Sequence, residues 1–377
     1  MPKNQRIRPA VVGVGTTTYG VLPEHDANSL GVWAMHNALA DCGLTVKDID
    51  GLFLHRITDY QKFVRITGMK PRVATSLPPQ GRMMGVTLQL AAASIQSGAA
   101  NVVAVVYGND GRSAGARYGG KEDRYATGAE QLWFPYGMTS PGAVHALMFQ
   151  RHMKEYGTRP EQLGAISMAF RHHASMNPTA VMRKPITLED YLNAPFICDP
   201  LRRLDYCLIN DGGVAMILAS PERARDLKQK PVYMRGYSMS SRLAEGEVSA
   251  DYGRSNMQRV AGRVFPMADV AREDIDALMI YDNFTPSVLF NLEGYGFCKP
   301  GESGDFVQNH LRLGGPLPAN TNGGHLSESY MQGWSLNVEA VRQLRGDCGP
   351  RQVPDAELIQ YISSGPISTS TIYGLEP

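Results

Sequence analysis

The segment from Asn101 to Tyr107 reads NVVAVVY, and nothing else in the chain constrains its fold as much. Successive side chains of a strand point to opposite faces, so a strand this apolar must be covered on both. The Ala- and Leu-rich run Met83 to Ser97, closed by Gly98, supplies a helix directly before it. Helix followed by doubly buried strand predicts a sheet sandwiched between helical layers. The rest of the chain continues the alternation. A strand at Ala10 to Val14 ends in Gly13-x-Gly15; without the full dinucleotide fingerprint this reads as a strand-end turn rather than a phosphate loop. A helix follows from Ser29, a suitable N-cap, to Cys42, with Gly43 as its stop, and then a strand near Ile49 to Leu54. Further strands are expected at Val214 to Ala219, Val232 to Ser238, Ala277 to Tyr281 and Glu357 to Ser363, the last leading into a Ser/Thr/Gly-rich tail. Helices are expected from about Ser140 to Tyr156, near Val260 to Phe265, and from Thr285, where Pro286 suits the first turn. Trp334, Val338, Val341 and Leu344 recur at helical spacing as one buried stripe, which Gly346 ends. The pattern predicts an α/β protein with mainly parallel sheet, in two halves alike in pattern though not in residue identity.

Composition narrows the function classes. A net charge of +1 over 377 residues gives no bulk attraction to nucleic acid or a membrane surface. No run of about eighteen apolar residues occurs, so the chain reads as soluble, untargeted and cytoplasmic. The five cysteines are widely spaced and odd in number, which argues for reduced thiols rather than a disulfide framework or a zinc site. The stretch 109–200 departs from the alternation, being rich in Gly, Arg, Tyr and His, and reads as an inserted loop-and-helix unit. It divides the chain into an N-terminal half at 1–108 and 201–228, the insertion, and a C-terminal half at 229–377. Within the insertion, Arg112, Arg117, Lys121 and Arg124 form a basic loop, a solvated face that would also suit CoA phosphates or an acidic partner. Met138, Met148, Met153, Met168, Met176 and Met182 read first as core filler, second as an adaptable apolar pocket. His172 and His173 point about 100° apart on a helix and make a poor metal pair, so a solvated or interface role is expected.

Three segments resemble the thiolase superfamily, in its sterol-carrier-protein thiolase and lipid-transfer branch. Leu317-Pro-Ala-Asn-Thr-Asn-Gly-Gly-His-Leu-Ser-Glu-Ser-Tyr330-Met-Gln-Gly333 looks like that family's Asn-Thr-x-Gly-Gly loop. Tyr281-Asp282-Asn283-Phe284 looks like its His-Asp-x-Phe strand end. Asp199-Pro-Leu-Arg-Arg-Leu-Asp-Tyr-Cys207 followed by Asn210-Asp-Gly-Gly213 looks like its Asp-Pro-Leu…Asp-Gly-Ala-Ala segment. The resemblance spans essentially the whole chain. It implies a thiolase fold, two βαβαβ-type halves in an α-β-α-β-α layering with the insertion attached.

The departures from the family pattern carry the functional reading. Where a thiolase keeps its nucleophilic cysteine, this chain has Pro79-Gln80-Gly81-Arg82-Met83, leaving Arg82 at the nucleophile's place. The family's second cysteine is also missing, from Ile362-Ser363-Ser364-Gly365-Pro366. Both family His positions are tyrosines, Tyr281 and Tyr330. This combination resembles the lipid-transfer-protein-like steroid side-chain aldolases. The resemblance implies a lyase that splits a β-hydroxyacyl-CoA, as on a steroid side chain, into a ketone and a short acyl-CoA such as propionyl-CoA. It implies Tyr281 and Tyr330 as the catalytic pair and no cofactor or metal in this chain. It further implies a homodimer that joins a small zinc-ribbon/OB-fold partner, which would carry any zinc, in an α2β2 complex.

A retro-aldol cleavage requires a base for the β-hydroxyl and a means of holding the enolate, but no nucleophile. Free phenol has a pKa of about 10, so full ionisation at neutral pH costs roughly 4 kcal/mol. Arg82 and His325 are the groups expected to ease that cost. Gly323 and Gly324 offer backbone N–H groups for the enolate oxygen. Asp282 and Asn283 are expected either to cap the following helix or to orient Tyr281. His325 reads otherwise as an ordinary hydrogen-bonded histidine, and Glu328 as a carboxylate placed to suit a helix start. Two other functions compete: a non-catalytic acyl-CoA-binding scaffold, and a thiolase or acyltransferase with a relocated nucleophile.

Overall fold

The computed structural model describes residues 7–117, 141–242 and 249–377. Lys121, Arg124 and Met138 of the insertion lie outside them. In chain order the elements are β1 (Ala10–Thr16), α1 (Ala27–Cys42), β2 (Gly51–His55), α2 (Tyr60–Thr67), β3 (Val73–Leu77), α3 (Met83–Gln96) and β4 (Val102–Asn109). The stretch 109–200 contributes α4 (Pro141–Tyr156), α5 (Pro160–Ser175), α6 (Leu188–Leu192) and β5 (Phe196–Cys198), which forms a small hairpin with β6 (Leu201–Arg202) just beyond it. Then come β7 (Gly212–Ala219), α7 (Pro221–Ala224), β8 (Val232–Ser241), α8 (Arg254–Ala268), β9 (Ala277–Ile280), α9 (Thr285–Tyr295) and α10 (Ser303–His310). The chain finishes with α11 (Gly324–Ser327), α12 (Trp334–Arg345), β10 (Leu358–Ser363) and β11 (Ile367–Gly374).

One hydrogen-bonded order, β3-β2-β4-β7-β1-β8-β11-β10-β9, runs through both halves. The expected parallel pairing holds on the flanks, for β3-β2, β2-β4 and β10-β9. Every pairing between β4 and β10 is antiparallel. The halves meet in the sheet at β1 and β8 through a short register, Ala10 with Tyr233 and Val11 with Val232.

Three apolar clusters fix the layering. Along β4, Val102, Ala104 and Val106 face α1, and Val103, Val105 and Tyr107 face α3 and α12. The inner cluster takes side chains from both halves of the sheet, Val105 and Met216 on one side, Met279 and Ile359 on the other. The outer face of the second half, with Leu278 and Ile280, is covered by α8 and α9, onto which α4 and α5 of the insertion pack. This is the expected α-β-α-β-α order. Because α12 lies between two layers of sheet, burial extends nearly all round it, beyond the single stripe the spacing predicts.

Local details differ where packing overrides short-range signals. The N-cap of α1 is Asp26, not Ser29; Ser29 sits three residues on, and the two exchange side-chain and backbone bonds as a capping box. Gly13 and Gly15 make no strand-end turn. They lie within β1, where an added Cβ would fall 2.4 Å from the Ala38 carbonyl and 2.2 Å from the Ala38 nitrogen, so their bareness lets α1 close on the sheet. The tail beyond Ser363 forms β11, a strand between β8 and β10. Among the described residues, no helix is long and apolar enough to cross a membrane.

Candidate active site

Tyr281 follows the last residue of β9, and its N–H donates to the Ile362 carbonyl of β10. Tyr330 follows α11 in the loop to α12, its N–H donating to Asn210 Oδ1 at 2.8 Å. Although 49 positions apart, the two phenol oxygens lie 2.9 Å from each other, and either can be the donor. Tyr281 is 1% exposed, whereas Tyr330 is half-buried. The His325 ring meets both phenols edge-on, with centroids 4.7 Å and 5.1 Å away.

The turn before α3 forms the wall opposite. An added Cβ at Gly81 would fall 2.0 Å from the Tyr281 hydroxyl and 3.2 Å from that of Tyr330. The two phenol tips therefore fill the space that a side chain at 81 would need. The residue that yields its volume to the pair is Gly81, while Arg82 plays a different part. Its Nε donates to the Ser364 carbonyl at 2.9 Å, and its guanidinium carbon lies 5.7 Å from the centre of the Tyr281 ring. It also lines a small cavity with His145, Met148, Arg242, Phe290 and Gly365.

Desolvation is the largest influence on both phenols and pushes both pKa values above that of free tyrosine. The Arg82 charge acts in the opposite direction on each. A free phenolate in this site thus costs more than the roughly 4 kcal/mol of a solvated one. A proton handed along the 2.9 Å contact avoids that cost, since neither oxygen need carry a full charge.

The remaining candidates divide sharply. Asp282 is buried, and its carboxyl accepts the His325 N–H at 2.9 Å and the Leu326 N–H at 3.3 Å, tying the end of β9 to the loop that carries Tyr330. It does not cap α9, whose N-cap is Phe284. Asn283 turns away, its Oδ1 accepting from Ser287 Oγ and its carbonyl from the Cys207 N–H. His325 Nε2 accepts the Gly333 N–H at 2.9 Å, which leaves the ring proton on Nδ1. That nitrogen is 3.2 Å from Asp282 Oδ1 but is not aligned for a hydrogen bond. Burial lowers the His325 pKa to about 3, so this histidine is neutral and supplies no positive charge to the phenols. The Gly323 N–H donates to the Asn320 carbonyl and the Gly324 N–H to Asn322 Oδ1, so the two expected enolate donors are committed within their own loop.

Several supporting residues escape sequence reasoning. His55, at the end of β2, accepts from the Trp334 indole at Nδ1 and contacts the Gln80 carbonyl at Nε2, both at 2.9 Å. Its place at the carboxyl end of a parallel strand, where α/β proteins gather their sites, was the available signal. His173 is buried, with Nε2 accepting the Leu313 N–H and Nδ1 against the Asn320 carbonyl, so it buttresses the Asn-Thr-Asn loop. Only its neighbour His172 is exposed, as the sequence suggests for the pair. Glu328 is buried and accepts from Asn177 and Asn322; burial pushes its carboxyl up to about 7. Arg112 and Arg117 are exposed. The described methionines scatter from Met148 in the cavity wall to Met182 at the surface.

Comparisons with known proteins agree with this architecture. Residues 243–373 match the family model described as Thiolase C-terminal domain-like. The chain is 35% identical over 353 residues to the steroid side-chain-cleaving aldolase of Thermomonospora curvata, across 89% of this chain and 90% of that one. It is 35% identical over 353 residues to the 17-hydroxy-3-oxo-4-pregnene-20-carboxyl-CoA lyase of Mycobacterium tuberculosis, across 89% and 91% of the two chains. Among solved structures, the Ltp2-ChsH2(DUF35) aldolase superposes with a TM-score of 0.88 at 31% identity, covering 97% of each chain.

Proposed function

This chain belongs to the thiolase superfamily, alongside the steroid side-chain-cleaving acyl-CoA aldolases, and from that premise we propose that Tyr281 and Tyr330 carry its chemistry. It is an acyl-CoA carbon–carbon lyase of the retro-aldol type. Its substrate is a β-hydroxyacyl-CoA, with a steroid side chain as the acyl group by analogy with the named relatives. Its products are a ketone and a short acyl-CoA such as propionyl-CoA.

The observation that carries this reading is the pair of phenol oxygens 2.9 Å apart and packed against a bare Gly81. In the proposed reaction one phenol accepts the β-hydroxyl proton as the Cα–Cβ bond breaks. The bond's electrons pass to the thioester as an enolate while the ketone forms. The other phenol protonates the α-carbon, and the short contact between the phenols restores the proton balance. No covalent intermediate is needed. Arg82 stands beside the pair as the fixed charge that eases proton transfer, and Asp282 holds the two tyrosine-bearing segments in register. With the Gly323 and Gly324 N–H groups occupied, we assign them no part in holding the enolate.

The solved relative named for two components supports a working partner. We propose a homodimer joined to a small zinc-ribbon/OB-fold chain in an α2β2 complex, with any zinc in that partner. The full chain with its partner is offered a β-hydroxy-β-branched acyl-CoA, and ketone and short acyl-CoA are measured. Tyr281→Phe and Tyr330→Phe are each expected to lose about 10²–10⁴-fold in kcat with the fold intact. Cys207 is the thiol to control for, since its charge would act on Tyr330. Cys207→Ala is expected to keep activity, and its loss would favour a relocated nucleophile. Absence of product, with no effect of either Phe variant on any activity, would leave an acyl-CoA-binding scaffold.

A further inference from the structure

We infer that His55 is a positioning residue for the phenol pair, bridging the Trp334 indole to the Gln80 carbonyl and thereby setting the Gln80–Gly81 turn against the Tyr281 hydroxyl. This inference rests on reading Tyr281 and Tyr330 as the reacting groups. His55 is fully buried, and each ring nitrogen has a partner at 2.9 Å. The indole N–H of Trp334 can only donate, so His55 Nδ1 accepts and its proton sits on Nε2, which donates to the Gln80 carbonyl. The chemistry of the partners thus fixes the tautomer. Desolvation lowers the ring's pKa to about 3, which keeps this neutral form throughout the working range.

The two ends of the bridge belong to the two walls of the site. Gln80 precedes Gly81, whose missing side chain is the space taken by both hydroxyls. Trp334 opens α12 directly after Gly333, whose N–H is held by His325, the ring that meets both phenols edge-on. A second tie runs parallel to the first, from Gln332 Nε2 to the Pro79 carbonyl at 3.3 Å. The turn before α3 comes from the first half of the molecule, and Tyr281 and Tyr330 from the second. His55 is the rigid, fully bonded link that transfers the position of one wall to the other. A shift of the turn by about 1 Å would free the Tyr281 hydroxyl to rotate off Tyr330, and misplacements of that size cost about 100-fold in rate.

The test uses the full chain with its partner. His55→Phe keeps the ring volume and removes both bonds; kcat is expected to fall about 100-fold while KM changes less than about twofold. His55→Gln retains a donor and an acceptor and is expected to recover most of the lost kcat. His55→Phe combined with Trp334→Phe is expected to be no slower than His55→Phe alone, since one bridge cannot be broken twice. A crystal structure of His55→Phe is expected to show Gly81 withdrawn from the Tyr281 hydroxyl. A variant with lowered Tm but wild-type kcat, or an unmoved turn, would overturn the inference. Should His55→Phe fail to fold, Trp334→Phe and His55→Gln decide it by the same two readouts. A wild-type protein that cleaves no β-hydroxyacyl-CoA refutes the lyase reading instead, and the crystal comparison still judges the turn.

Discussion

At Gly81 the site is decided by volume. The Tyr281 hydroxyl occupies the place of a Cβ at 81, so the site holds either the phenols or a side chain there. Gly81→Ala is therefore expected to destabilise the fold by about 1–3 kcal/mol, as overpacking does, and to abolish cleavage. Adding Tyr281→Phe removes the colliding oxygen and leaves ring carbon Cζ, 3.1 Å from that Cβ, as the nearest contact. The double variant should regain most of the lost Tm in a calorimetric scan while staying inactive. A double variant no more stable than Gly81→Ala alone would mean that the hydroxyl is not the obstruction. How much of this was legible depended on residue type. The two tyrosines stand at recognisable motif positions, so the pair could be found in sequence. Gly81 could not, because a glycine in a Pro-Pro-Gln-Gly turn needs no other explanation than the turn.

At the scale of elements, the strands and helices that sequence revealed were those with one dominant signal. β4 is uniformly apolar and α9 opens with Pro286, and both lie where expected. β11 was missed because its sequence, ISTSTIYG, looks like a polar tail. Three of its hydroxyls are nevertheless paired inside the protein: Ser370 accepts from Gln360, Ser368 from Asn256, and Thr369 bonds Ser363. Polarity that is paired across neighbouring elements cannot be told from exposure in sequence alone. The loop carrying Tyr330 holds a second such case in Glu328. Its carboxyl titrates near 7 in the fold against an ordinary 4.5, so the stability it contributes is fully present below about pH 4.5 and is lost as pH rises through 7. Glu328→Gln cannot lose that contribution. The Tm of the variant relative to wild type is expected to climb between pH 5 and pH 8 by the equivalent of about 2 kcal/mol. A constant difference across that range would mean that the carboxyl is not displaced.

For the whole molecule, the layering was legible from alternation and family resemblance, but the way the halves are joined was not. Two residue pairs between β1 and β8 connect them in the sheet, whereas the inner apolar cluster draws on both. Cohesion between the halves therefore resides in the inner layer that holds α3 and α12, and in ties at the site such as Tyr330 N–H to Asn210 and Arg82 to the Ser364 carbonyl. The expected consequence is a single cooperative thermal transition, with calorimetric and van't Hoff enthalpies in agreement. Two resolved transitions would show that the halves are separable.

The same shared layer bears on how such a protein can change over generations. A break at the junction near residue 229 would leave each fragment with one naked, water-averse face, so the halves cannot be exchanged like beads on a string. Any drift in one half that tilts α3 is felt where α12 begins, beside Tyr281 and Tyr330. A change to the inner layer in one half is therefore expected to call for a matching change in the other.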